Sequence, residues 1–239
     1  MTITPSTLTR SAGLAAVAAG AIFIGVQLNH PPLDAASVTT TEWVVRSCLK
    51  VLMGALALVG ITGMYLYQVR KMGALGLAGF TLFAANYLVI VCTSFVAAIV
   101  LPAIADTSPT YVENVLVAAS GHHPPGDTGS LYTVLLLGGA LYVTGGLLFG
   151  IALYRARVLP RWAAMLLAVG GLAAAGLSLL PDPWFRLLAV PNGIAMIALG
   201  YALWRMTGPA GAIQRVDATV PSARTSPERD ATTPATTSL

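Results

Sequence analysis

Leu153-Tyr154-Arg155-Ala156-Arg157-Val158-Leu159-Pro160-Arg161-Trp162 stands between two long uncharged runs and sets three arginines within seven positions. Short basic hairpins of this kind stay on the cytoplasmic side of a bilayer. Arg155, Arg157, Arg161 and Trp162 therefore act as topology anchors. Fixing this bend fixes the direction of every apolar run on either side of it.

Composition excludes a soluble domain. The 239 residues are 56% hydrophobic and 9% charged, whereas soluble domains carry about a quarter charged residues. The net charge of +4 is what cytoplasmic flanks of a membrane protein supply, and it gives no reason to invoke nucleic acid. Cys48 and Cys92 both lie in apolar stretches, so they are expected to be small buried side chains rather than a bridge or a zinc site. Arg10 and the apolar run 12–28 lead into Asn29-His30-Pro31-Pro32 rather than a small-residue cleavage site. A retained helix is expected there, not a signal peptide.

A helix crossing about 30 Å of hydrocarbon needs about 20 apolar residues. Six runs meet or approach that length, at about 12–28, 43–67, 75–102, 131–154, 163–180 and 187–204. The expected fold is an all-α, polytopic transmembrane bundle of six membrane-spanning helices with both termini cytoplasmic. In that orientation the inner flanks hold Arg10, Arg70, Lys71, Arg155, Arg157, Arg161 and Arg205, against Arg46, Lys50 and Arg186 outside. Trp43, Trp162, Trp184 and Trp204 all fall at run boundaries, where aromatic belts form. The first partner implied is the lipid bilayer.

Between the third and fourth runs lies an outer loop, 105–130. Ser108-Pro109 is a helix-start signal, and Tyr111, Val112, Val115, Leu116 and Ala119 follow at helical spacing. A short surface helix is expected, its apolar side entering the lipid interface. The segment 206–239 is rich in Thr, Ser, Pro and Ala and lacks aromatics, which predicts a disordered cytoplasmic tail.

Few residues offer chemistry. Glu42, Arg46 and Lys50 recur every four residues, so they share a face, and Glu42 suits Arg46 as a partner. Lys50 lies seven residues past Trp43, about 10 Å deeper along a helix. At that depth it faces a cavity, or it snorkels back to the headgroups. Asn86 in the third run and Asn192 after Pro191 complete the ligand candidates, with Pro191-Asn192-Gly193 able to break its helix. Interhelical hydrogen bonding is the plainer role for both asparagines. His30, His122 and His123 sit outside near Asp34, Glu113 and Asp127 and form a weak metal set, since their spacing matches no ligand pattern. No motif calls for a cofactor, and no nucleophile–base pair or phosphate loop is visible.

Gly138, Gly139, Gly145, Gly146 and Gly150 give the fourth run a small-residue face, and Gly170, Gly171, Ala174 and Gly176 do the same for the fifth. Close backbone approach of these two about the basic bend is expected. The stretch 154–162 with 163–171 resembles a hairpin common in uncharacterised bacterial multi-pass membrane proteins of domain-of-unknown-function type. Residues 25–32 with 39–46 resemble part of one such group. The resemblance spans about 10–205 and implies a polytopic inner-membrane protein. It carries no activity or ligand.

Three functions remain. The first is a non-enzymatic binding or assembly protein with a protein partner or a small solute at its outer face. The second is a small-solute or ion transporter with a polar cavity near Lys50 and Asn86. The third, more distant, is a metal-dependent membrane enzyme. The first is preferred because coupled transporters usually keep several ionisable groups in the membrane core.

Overall fold

Apolar runs become helices here, and small residues decide which helices touch. The structure, a computed structural model, describes residues 4–28, 30–177 and 189–206. Among these residues every regular element is helical. Helix α1 is Pro5–Gln27, α2 the single turn Ala35–Val38, and α3 Thr41–Tyr67. Helix α4 starts at Val69, runs to Phe95, and continues through a π-helical turn, Val96–Val100, into Leu101–Ile104. Then come α5 (Pro109–Ala119), α6 (Leu131–Ala156), α7 (Arg161–Leu177) and α8 (Ala189–Met206). Four stretches, Pro5–Gln27, Thr41–Tyr67, Val69–Ile104 and Leu131–Ala156, are long and apolar enough to cross a membrane. The expected ends at 178–180 and 187–188, and the expected tail from 207, lie outside the described residues.

Local chemistry explains where boundaries depart from hydropathy. Helix α1 begins at Pro5, ahead of the apolar run, because the Thr4 hydroxyl accepts the Thr7 N–H at 3.3 Å and Pro5 needs no partner for a missing N–H. Gly73, at φ 59° and ψ −165°, kinks the start of α4. Pro191 sits in the first turn of α8, where no backbone N–H is needed. Pro191-Asn192-Gly193 therefore lies within a continuous helix rather than breaking one.

The long helices form an antiparallel ring in the order α1, α3, α4, α6, α7, α8 and back to α1. Its register is fixed by close approaches in which an added Cβ would meet a neighbouring helix. Gly13 meets the Gly200 carbonyl, Gly20 meets the Gly193 carbonyl, Gly60 meets Ala16, Gly79 meets Phe149 and Gly145 meets Phe83. The glycine face of α6 is thus shared. Gly138 and Gly145 face α4, Gly150 faces Ala164 and Ala168 of α7, and Gly139 faces open space. The close approach expected between α6 and α7 is present at Gly150, and the same face also serves α4, since α6 has a neighbour on each side.

The interior holds Ala16, Ala19, Ala57, Ala152, Ala163 and Ala164 around Phe83 and Phe149. Leu52, Val59, Leu77, Leu88, Leu136 and Leu137 point outward. Cys48 and Cys92 are free thiols exposed on the bundle exterior, not the buried side chains expected from their apolar context. Hydropathy alone cannot separate a helix's inner face from an outer face that is equally apolar.

A second core caps the ring at the end where α3 begins and α4 finishes. Val38, Trp43, Leu101, Val112, Val115 and Leu116 pack together there. Helix α5 buries its apolar face on this cluster, with Asn114 Oδ1 accepting the Gly126 N–H at 3.1 Å. The expected insertion of that face into lipid is therefore corrected, because the protein itself supplies the apolar surface. In α2 the Ser37 N–H donates to Asp34 Oδ1 at 2.7 Å, which holds this exposed carboxyl below its ordinary pKa.

The π turn has a local cause and a local consequence. Leu101 N–H bonds five residues back to Val96 O, so the next bond in that pattern would come from residue 102. Residue 102 is proline and has no N–H. The Ala97 carbonyl left over accepts the indole Nε1–H of Trp43 at 2.9 Å. Trp43→Phe is expected to cost about 1–2 kcal/mol, the price of a buried carbonyl without a donor. In a Pro102→Ala background the new N–H can serve that carbonyl, so the same substitution should cost less than half as much. Denaturant unfolding of the four proteins of this cycle checks it, and an equal cost in both backgrounds would exclude the account.

Candidate functional site

Beneath the cap lies a cavity of about 280 Å³. Its wall comes from separate parts of the chain: Gln27, His30 and Leu33 around the first connection, Trp43, Ser47 and Lys50 of α3, and Ile90, Thr93, Ser94, Val96, Ala97 and Leu101 of α4. Val115, Leu116, Ala119 and Ser120 roof it, and Leu131 and Leu135 of α6 close the far side. Helical spacing along α3 puts Trp43, Ser47 and Lys50 on one stripe, and the π turn in α4 delivers Ala97 and Leu101 to the same space.

Lys50 is the cationic side chain of that wall. Its Nζ lies 3.0 Å from His30 Nε2, while His30 Nδ1 lies 2.8 Å from the Pro31 carbonyl oxygen. A carbonyl can only accept, so Nδ1 carries the proton and Nε2 offers its lone pair to the Lys50 ammonium. The imidazole is therefore neutral and the positive charge stays on lysine. Trp43 holds the ring edge-on, with centroids 5.9 Å apart. Pro31 and Pro32, which follow this histidine, stiffen the connection that presents it.

The other candidate residues go elsewhere. Arg46 ties α3 to the end of α1: its Nη1 donates to the carbonyls of Val26 at 3.1 Å and Leu28 at 2.9 Å. Its Nε and Nη2 reach Glu42 Oε1 at 2.9 and 2.8 Å. Glu42 and Arg46 thus cap a helix and do not line the cavity. Asn86 is buried one turn beyond Ile90 and is also absent from the wall. The facing glycines of α4 and α6 set Asn86 level with Tyr142, and Asn192 Nδ2 donates to the Tyr142 hydroxyl. Among the described residues, Asn86 Nδ2 and Asn192 Oδ1 have no hydrogen-bond partner.

His122 Nδ1 is 3.1 Å from Ser120 Oγ, and His123 bonds the Pro124 carbonyl and tilts over Tyr132. Among the described residues no three His, Cys, Asp or Glu side chains come together as a metal site. At the opposite end of the ring, Arg161 lies over the Tyr154 ring at 4.0 Å and Arg10 over Trp204 at 5.0 Å. Arg157 ends α6 in the left-handed region at φ 54°.

The partnership of His30 with Lys50 escaped sequence reasoning, as did the place of Ser47 on the same wall. Two stacked prolines after a histidine were a usable signal, since they hold a side chain at a fixed distance from the helix end. The fold and cavity define an all-helical protein whose longest helices could each traverse a bilayer, with a cationic pocket at one end. Compared with family models, curated proteins and solved structures, the chain matches none.

Proposed function

We propose that this is a bacterial inner-membrane protein that crosses the bilayer six times with both termini cytoplasmic. It binds a small ligand, without transforming it, in the cavity under its outer cap. The observation that carries the binding role is a cationic pocket assembled from five separate stretches of chain around Lys50. Both His30 nitrogens are engaged, one by Pro31 and one by Lys50, which suits holding a charge in place better than moving a proton.

The orientation is supported by charge. Arg10, Arg70, Lys71, Arg155, Arg157, Arg161 and Arg205 gather at one end of the antiparallel ring. Asp34, Glu42, Asp106, Glu113 and Asp127 gather at the other. With Cys48 and Cys92 replaced by serine, an impermeant thiol reagent applied to intact cells should label Thr107→Cys and miss Arg157→Cys. The reverse pattern would overturn the topology. Native mass spectrometry of the purified protein tests the binding role: wild type should carry a small-molecule adduct that the cavity-filling Ser94→Phe lacks. Identical spectra from the two proteins would oppose it.

One observation favours transport as a second reading. The unpartnered amide atoms of Asn86 and Asn192 lie off the cavity wall, Asn192 against Tyr142 and Asn86 one turn beyond Ile90. Buried polar groups at mid-helix are where solute paths run in membrane bundles.

A further inference from the structure

We propose that the end of the bundle holding the basic bend binds an anionic glycerophospholipid whose headgroup carries hydroxyls, phosphatidylglycerol being the simplest. The site is separate from the capped cavity and does not depend on what that cavity holds. Helix α3 ends at Tyr67 and α4 begins at Val69, so Gln68 alone makes the turn. Its N–H donates to the Tyr65 carbonyl at 3.2 Å, and its carbonyl accepts the Lys71 N–H at 2.8 Å. Residues 66–71 of this tight turn, with Val158 of the α6–α7 bend, line a cavity of about 370 Å³. That falls among the sizes of small-molecule sites, about 300–1,000 Å³.

Arg70 and Lys71 line the cavity, and among the described residues neither side chain has an ion-pair, hydrogen-bond or ring partner. Other cations at this end differ, since Arg10, Arg161 and Arg205 lie over Trp204, Tyr154 and Tyr201. No Asp or Glu is in the described wall. A phosphodiester offers two unesterified oxygens to two adjacent cationic heads. Gln68 lines the same space and is 3% exposed. Its Nε2 donates to the Met64 carbonyl at 3.1 Å, and its Oε1 has no partner. A buried acceptor without a donor is costly, and a headgroup hydroxyl supplies one. Leu52, Val59 and Leu66 recur every seven residues as an exposed stripe on the outward face of α3. That stripe ends beside the two cations and gives an acyl chain a track, which a free phosphate would leave unused.

Native mass spectrometry of the delipidated full chain, titrated with defined lipids, tests the site. Phosphatidylglycerol should bind about tenfold more tightly than phosphatidylcholine of the same chains, as two basic side chains near a lipid surface imply. Arg70→Gln with Lys71→Gln should abolish that preference. Arg155→Gln with Arg157→Gln removes the same charge from residues outside the cavity wall, and should keep the preference within twofold. Phosphatidylmethanol carries the same charge without a hydroxyl, so it should bind about fivefold more weakly than phosphatidylglycerol. Gln68→Met should erase that difference. Ser94→Phe, which fills the capped cavity, should change neither value, so the two sites succeed or fail separately. Millimolar glycerol phosphate should not displace the lipid, and displacement would overturn the lipid source. No preference over phosphatidylcholine, or its loss in both double variants, would overturn the site. Equal binding of the two anionic lipids would overturn the hydroxyl-bearing class.

Discussion

Gly145→Leu is expected to be among the most damaging single changes in the bundle, and Gly139→Leu, six positions earlier, one of the mildest. A Cβ at residue 145 would stand 2.5 Å from the Phe83 nitrogen and 2.7 Å from its Cα. Those are backbone atoms inside a helix, so they cannot rotate away as a side-chain end could. Helices α4 and α6 would have to separate, opening the packing of Phe83 and Phe149, both about fully buried. Overpacking of a tight core costs about 1–3 kcal/mol, occasionally more, and a clash with backbone belongs at or above the top of that range. At residue 139 a Cβ meets nothing within 4 Å, so leucine there should change stability by less than about 0.5 kcal/mol. Thermal unfolding of the two variants in one detergent makes the comparison. Similar midpoints would mean that α4 and α6 do not pack as described.

Arg46→Ala should give the second largest loss, about 2–3 kcal/mol. Hydrogen bonds from a charged donor contribute about 1.5–3 kcal/mol, and this guanidinium serves two carbonyls at the end of α1 together with Glu42. Helix C-termini present carbonyls without intrahelical donors and carry partial negative charge, so a fork of N–H groups stabilises them twice over. Arg46→Lys should recover only part of the loss, because one ammonium cannot span both carbonyls and the carboxylate. Glu42→Gln should cost under about 1 kcal/mol, as expected for an ion pair whose acid is half exposed. Hydrogen exchange should quicken in the last turn of α1 for Arg46→Ala and stay unchanged in α6. An unaltered exchange rate at Val26 and Gln27 would exclude the capping role.

These two cases also mark what could be read before the fold was known. The apolar runs, the basic bend and the Glu42–Arg46–Lys50 face follow from periodicity and charge, and the described helices cover those runs, with α1 and α4 starting several residues ahead of them. Gly139 and Gly145 look alike in sequence because both belong to an apolar helix. Only the direction of each Cα separates them, and that depends on which helix lies on which side. The same limit hid the lipid-free setting of α5, whose Val112, Val115 and Leu116 would suit either hydrocarbon or protein.

The cavity was half legible. The depth of Lys50 pointed to it through the cost of an ionisable group among apolar residues. His30 did not, because its contact with Lys50 bridges twenty positions and an intervening pair of prolines. The Trp43–Ala97 bond spans 54 positions, yet Pro102 in an otherwise uninterrupted run was a clue to a carbonyl in want of a donor. Asn86 and Asn192 were identified as polar in apolar surroundings, but their common level beside Tyr142 depends on the α4–α6 register.

Closure of the ring has a consequence for biogenesis. The stripe Gly13, Ala16 and Gly20 on α1 fits against Gly193 and Gly200 of α8, a helix synthesised after every other member of the circle. Until it arrives, α1 has α3 on one flank and an unfilled groove on the other. Neighbours consecutive in the chain can pack as each is made, and the seam between α1 and α8 is left to close last.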